Sequence, residues 1–294
     1  MPYLGETMAL LTAVLWAIAV IFFKKSGETV HPLALNLFKD VLAAILVVPT
    51  VYIFGETLTY RAPAAEYLLL LASGALGIGI ADTLFLASLN RLGAGLTAIV
   101  DCLYSPFIIG LSMLWLGEVL TVWQFVGVIM IISAILAGSN PKGGHGIERR
   151  RLFEGLAFGA LSMAATAVGI VVIKPLLTRS PLLWVTEVRL IGGILVLVAV
   201  LAFHPSRRRI IGTIGGIGQW GYTFSGSFFG AYLSMMAWLA GMKFTKASIA
   251  AALNQSTNIF IFLFAVWLLK EPMTRHRIIG IVLGVAGSIL VTFA

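Results

Sequence analysis

Two aspartates, Asp82 and Asp101, stand inside apolar runs where a charge is costly. Such a carboxylate must be paired, protonated or turned toward a polar cavity, so it is a functional candidate from the outset. Asp101, Tyr104 and Ser105 follow at i, i+3 and i+4 and share one helix face. Asn254, Thr257 and Asn258 repeat that spacing 153 residues later, with Gln255 beside them. Two polar stripes at matching places suggest that both face one binding space. Hydrogen bonds between helices account for the Asn and Thr residues equally well. A helix cap or a backbone partner accounts equally for the aspartates. If the stripes do meet, Asp82 and Asp101 are the groups that would take up and release a coupling proton.

A second charged group lies near the starts of two other apolar runs: Lys39 with Asp40, and Glu187 with Arg189. The favoured reading is local pairing or snorkelling toward a membrane surface. Trp16, Tyr104, Tyr232 and Trp238 have the rings to stack on an organic or cationic solute. Trp115, Trp123, Trp184 and Trp267 lie near the ends of apolar runs and read as an interfacial belt. Glu118 and Glu271 sit in tight turns and read as turn-and-cap residues. Catalytic signatures are missing. His31, His145, His204 and His276 lie at run ends or in loops without HExxH spacing, and neither Gly-x-Ser-x-Gly nor a Walker loop occurs. The one cysteine, Cys102, gives neither an internal disulfide nor a metal-site spacing. No metal or cofactor is expected, and the energy source would be a gradient or an exchanged solute.

The elements that must position these residues are membrane helices. Of 294 residues, 60% are hydrophobic and 11% charged, and the mean hydropathy is +1.01. That is too few charges to coat a water-facing surface of this size. About 20 apolar residues span a bilayer, and ten such runs are found: 7–23, 32–54, 66–89, 96–116, 121–138, 153–173, 181–203, 214–241, 248–269 and 276–293. Together they nearly exhaust the chain. The net charge of +8 sits in short loops beside these runs, where headgroups and topology explain it better than nucleic acid does. No cleavable signal peptide is evident at the start of the sequence.

The halves repeat. The offset of 153 that joins Asp101 to Asn254 also joins Glu118 to Glu271, Thr121 to Thr274 and Gly127 to Gly280. With small shifts Pro32 falls on Pro181 and Lys39 on Arg189. The predicted organisation is a first repeat at 1–138, a linker at 139–152 and a second repeat at 153–294. Five spans per repeat start the second on the opposite membrane face, which makes the repeats inverted and favours alternating access around a shared site. The fold expected is an all-α integral membrane protein of about ten transmembrane helices.

The pieces "LWLGEVLTVWQFVGVIMIISAIL" and "VWLLKEPMTRHRIIGIVLGVAGSIL", and the openings "ADTLFLASLNRLGAGLTAI" and "LSMMAWLAGMKFTKASIAA", resemble the EamA family of the drug/metabolite transporter superfamily. The resemblance covers nearly the whole chain and occurs twice. It implies a ten-span inverted-repeat transporter of amino acids, other metabolites or small drugs, in the inner (plasma) membrane. One departure is that the family's proline in the fourth span is matched by Pro106, whereas the corresponding place in the ninth holds Ile259, so hinge behaviour there is expected to differ.

The resulting expectation is a secondary transporter, not an enzyme, that exports or exchanges a small organic solute with a proton as coupling ion. Its substrate-binding candidates are Trp16, Asp82, Asp101, Tyr104, Ser105, Tyr232, Asn254, Gln255 and Asn258. Its partners would be the solute and the lipid bilayer, with no nucleic acid, as a monomer or weak homodimer. The competing class is an intramembrane enzyme acting on a lipid or isoprenoid, for which the chain offers few acids and no converging His or Cys. Orientation stays open: loop Lys and Arg are more numerous on the linker's face, which the positive-inside rule places in the cytoplasm, whereas the resemblance implies cytoplasmic termini.

Overall fold

The computed structural model describes residues 3–116, 121–138, 148–215, 220–245, 250 and 253–293. Glu118, the Trp115 side chain and residues 139–147 of the linker lie outside the described residues. Every apolar run described is helical, and no strand occurs among the described residues. In chain order the helices are α1 (Leu4–Ser26), α2 (Pro32–Ile53), α3 (Ala64–Gly74), α4 (Ala81–Leu92), α5 (Ala94–Asp101), α6 (Tyr104–Leu116) and α7 (Val122–Gly138). There follow α8 (Arg149–Val171), α9 (Lys174–Arg179), α10 (Leu182–Phe203), α11 (Arg207–Gly215), α12 (Trp220–Gly226), α13 (Met235–Phe244), α14 (Ser256–Leu268) and α15 (Arg275–Phe293). Among the described residues, five stretches are long and apolar enough to cross a membrane by themselves: α1, α2, Ala64–Leu92, α8 and α10. Shorter apolar helices occupy the fourth, fifth and ninth runs: Ala94–Ile108, Val122–Gly138 and Ser256–Leu268.

Local chemistry sets the ends. Pro32 occupies the first turn of α2, where its missing N–H costs nothing, and the His31 side chain accepts from Leu33 N at 3.3 Å. Thr121 and Gln124 close a reciprocal capping box on α7, with Gln124 N to Thr121 Oγ1 at 3.2 Å and Thr121 N to Gln124 Oε1 at 3.0 Å.

The third apolar run of each half changes pitch. Ala75–Ile80 joins α3 to α4 as π-helix, and Ser227–Ser234 joins α12 to α13 in the same way. The 153-residue offset lays the first segment inside the second. A π-turn leaves carbonyls out of register, and such turns cluster at functional sites. Here Asn36 of α2 takes up the displaced carbonyls, its Nδ2 donating to Ile78 O at 3.0 Å and Gly79 O at 2.9 Å. The fourth run breaks as well: Cys102 and Leu103 form a turn between α5 and α6, and Gln255 forms one just before α14. The offset relates these two turns too, so Ile259 in place of a proline has not removed the second break.

Packing is paired across the halves. α7 lies along α15, α4 packs on α8 as α13 packs on α1, and α6 meets α8 as α14 meets α1. α10 rests on the first π segment as α2 rests on the second. A close approach places α3 on α10, where a Cβ on Gly74 would run into the Arg189 carbonyl. Small residues at such crossings let membrane helices touch backbone to backbone. The outer surface carries bare apolar side chains, among them Phe203 at 90% and Leu114 at 85% exposure, a pattern suited to lipid rather than water.

Trp123 and Trp267 are exposed, as an interfacial belt requires. Trp184 is a correction. It is wholly buried, packed against Tyr60 and Tyr67 with ring centroids at 4.9 and 5.1 Å. The segment before α3 folds over it, and nearness to the end of an apolar run cannot reveal a covering loop.

Candidate functional site

A cavity of about 140 Å³ lies between the halves, walled by α1, α4, α5, α6, α8, α10, α13, α14 and both π segments. Of the residues singled out from sequence, Trp16, Asp82, Asp101, Tyr104, Asn254, Gln255 and Asn258 line it. Thr257 and Trp238 do so too. The two polar stripes therefore meet. Both stripes flank the breaks of the fourth and ninth runs, where freed backbone and polar side chains belong beside a cavity rather than lipid.

Two candidates lie off the cavity. Tyr232 turns its hydroxyl to Thr50 Oγ1 at 2.6 Å, against α2. Gly230 and Ser234 take the cavity-facing places on that π segment. Ser105 is buried beside Tyr104 without a hydrogen-bond partner for its hydroxyl among the described residues. It is adjacent in sequence to a lining residue, and neighbours on a helix do not face the same way.

The charges are arranged in two ways. Lys39 is 1% exposed and its Nζ donates to Asp40 Oδ1 and Asp82 Oδ2, both at 2.6 Å. The expected Lys39–Asp40 pair is present, and Asp82 completes a buried triad at the cavity wall. Arg189 corrects the expectation made for it. It neither snorkels nor pairs with Glu187; it is 1% exposed and lines the cavity. Its Nε donates to Ser73 Oγ at 3.1 Å, Ser73 Oγ donates to Gly169 O at 2.6 Å, and the guanidinium lies 5.6 Å from the Trp238 ring centroid. Asp101 Oδ1 and Arg189 Nη1 are both buried without a partner among the described residues.

Sequence reasoning missed Arg189, Thr12, Ser162, Met163 and Thr166 as lining residues. The repeat carried the missing signal. An offset of 150 lays Thr12 on Ser162, Trp16 on Thr166 and Lys39 on Arg189, and all but Lys39 line the cavity. The offset of 153 lays Gly77 on Gly230, Asp82 on Met235, Phe85 on Trp238 and Asp101 on Asn254, and again each one lines it.

Glu271 holds α5 in place from the other half. Its carboxylate accepts from Ala94 N at 2.7 Å and Gly95 N at 3.1 Å, and Arg277 Nη1 braces it at 3.1 Å. Gly93, at φ 81, makes the turn, and a Cβ there would come within 2.7 Å of Glu271 Oε1. Glu271 thus caps a helix N-terminus, but not one adjoining its own turn. A carboxylate on these unpaired N–H groups is worth about 1–2 kcal/mol. Glu271→Ala is expected to lower stability by that much, a fall of a few degrees in the thermal midpoint, and to loosen α5, which carries Asp101. A fluorescence-detected melt of the purified variant measures it, and an unchanged midpoint would refute the cap.

An all-helical bundle with an apolar exterior and a charged cavity is a multi-pass membrane protein built around an internal polar site. The sequence matches the EamA-like transporter family over residues 3–138 and again over 153–293. The chain belongs to that family and is a membrane transporter. A protein from Archaeoglobus fulgidus named as an uncharacterized transporter is 22% identical over 271 residues, covering 92% of each chain. A protein solved by crystallography shares the fold at TM-score 0.71 and 17% identity, over 97% of this chain and 95% of that one.

Proposed function

We propose that this transporter moves a small organic solute by alternating access, through ten crossings arranged as two inverted repeats, 1–138 and 153–294, around the cavity. The repeats' matching π segments, matching breaks and reciprocal helix contacts support that reading. So does the double match to one family. Inverted halves exchange conformations around a fixed central site. Trp16, Asp82, Asp101, Tyr104, Asn254, Gln255 and Asn258 line the solute's place. By the ~10–15 Å³ that one water requires, the cavity holds about ten water-sized groups, a metabolite and not a macromolecule.

The observation that carries the coupling is the carboxylate of Asp101, whose Oδ1 is buried without a partner among the described residues. Asp82 is tied to Lys39, which leaves Asp101 as the acid free to hold a proton in one state and a solute group in the other. The charged or titratable groups sharing its cavity are Asp82, Arg189 and Tyr104. A proton and a solute competing for one carboxylate are exchanged, so an inward proton gradient drives the solute out across the inner (plasma) membrane.

Liposomes containing the purified protein, loaded with labelled amino acids, amines or quaternary ammonium compounds, test this. At least one solute should leave faster under an imposed inward proton gradient and be recovered chemically unchanged. Efflux no faster than from protein-free liposomes, or recovery of a converted product, would overturn the reading.

A further inference from the structure

Two runs of three arginines, 149–151 and 207–209, stand at helix starts on one face of the protein, and their surroundings differ. In α8 the charges are engaged: Arg150 Nε donates to Glu154 Oε1 at 3.0 Å, and Arg151 Nη2 donates to Asn90 O at 3.0 Å. In α11 only Arg207 is engaged, its Nη1 donating to Ala202 O at 2.7 Å. Arg208 and Arg209 are exposed and have neither an ion pair nor a side-chain hydrogen bond among the described residues. Nothing negative balances them nearby: His31, on which α11 rests, feels the charge of His204 and of no acid.

These arginines lie at the height of lipid headgroups. α10, just before them, has 22 residues and a length of about 33 Å, so its end at Phe203 reaches the membrane surface. One side of α11 is seated on the protein, with Ile210 buried and Thr213 Oγ1 accepting from His31 N at 3.2 Å at the start of α2. Arg208, Ile211 and Gly212 follow at i, i+3 and i+4 on the other side. That side is bare: Ile211 is half-exposed, and a Cβ on Gly212 would meet nothing within 4 Å. Two exposed rings flank it, Phe203 at the end of α10 and Trp220 at the start of α12, the latter against Phe38 of α2 with ring centroids at 5.6 Å. Apolar groups next to unengaged guanidinium groups at a membrane surface match the two parts of a phospholipid, its acyl chains and its phosphate.

We propose that Arg208 and Arg209 hold the phosphate of an anionic phospholipid, whose acyl chains lie against Phe203, Ile211 and Trp220. Charge complementarity selects this occupant. A guanidinium fork takes phosphate oxygens in two parallel hydrogen bonds, whereas a zwitterionic headgroup brings a cation that neighbouring arginines repel. A soluble phosphate would use the arginines and leave the apolar groups uncovered.

Native mass spectrometry of the purified protein, titrated with dioleoylphosphatidylglycerol or dioleoylphosphatidylcholine, tests the site. The two lipids share their acyl chains and differ in net charge. The first phosphatidylglycerol should bind roughly 10- to 30-fold tighter than the first phosphatidylcholine, the scale of two arginines at an anionic surface. Arg208→Gln combined with Arg209→Gln should abolish that preference. Arg149→Gln combined with Arg150→Gln, which removes the same charge from the other run, should leave it in place. Equal affinity for both lipids in the unmodified protein would overturn the proposal. A preference that both pairs of substitutions reduce alike would do so too, because it would reflect the charge of the whole face and not a site on α11. Inorganic phosphate in large excess should leave the lipid bound; its displacement would make a soluble anion the occupant and sink the lipid assignment.

Discussion

Asp101→Asn should leave a protein that folds, binds solute weakly and no longer responds to a proton gradient. The substitution keeps the shape and removes the charge and the proton. Oδ1 has no partner among the described residues, so little of the fold depends on it. Losing a charge-assisted contact costs about 1.5–3 kcal/mol, or roughly 10- to 150-fold in affinity. Gradient dependence should vanish outright, because Asp82, the other acid lining the cavity among the described residues, remains bound to Lys39. Efflux from liposomes at several imposed pH differences measures both effects. Gradient-driven efflux persisting at the wild-type rate would remove Asp101 from the coupling step.

Lys39→Met should be the most destabilising change at the site. Asp40 is 0% exposed and Asp82 largely buried, and both point at the one amine. Removing one partner of a buried ion pair costs about 3–5 kcal/mol because the remaining charge is stranded. The thermal midpoint is expected to fall by about ten degrees or more. Adding Asp40→Asn should recover a good part of the loss, since it removes one of the two stranded charges. A double mutant no more stable than Lys39→Met alone would contradict the triad. The two predictions separate roles: Asp101 is proposed to serve movement of solute, and Lys39 the scaffold that surrounds it.

Much of the architecture is legible in the residues alone. Composition requires an all-helical membrane protein, and the spacing of Asp101 and Tyr104 against Asn254 and Thr257 brings two stripes to one cavity. The offset is legible as well. It does not show which side of a helix each charge occupies. Glu187 and Arg189 are two residues apart and so about 200° apart around a helix, facing opposite ways. Helix geometry therefore excludes local pairing, and Arg189 finds its surroundings on another face. Tyr232 departs from expectation for a related reason, since a π-turn shifts the angular position of every later residue on the helix and no simple periodicity marks that turn. Trp184 depends on a loop folding back, and Glu271 on a contact with a helix far away in sequence.

The asymmetry between halves is also present in the sequence but carries no meaning alone. Asp40 against Leu190 and Asp82 against Met235 are ordinary differences between diverged repeats. They become informative once Lys39 is seen holding both acids and Arg189 is seen facing the cavity with none.

The most direct measurement tracks solute and proton together in the same liposomes. With the purified protein and an imposed solute gradient, solute leaving the vesicles should bring protons in, and reversing the proton gradient should reverse the solute's net direction. Solute movement with no accompanying proton movement, or none beyond that of protein-free vesicles, would contradict exchange at the cavity between the two halves.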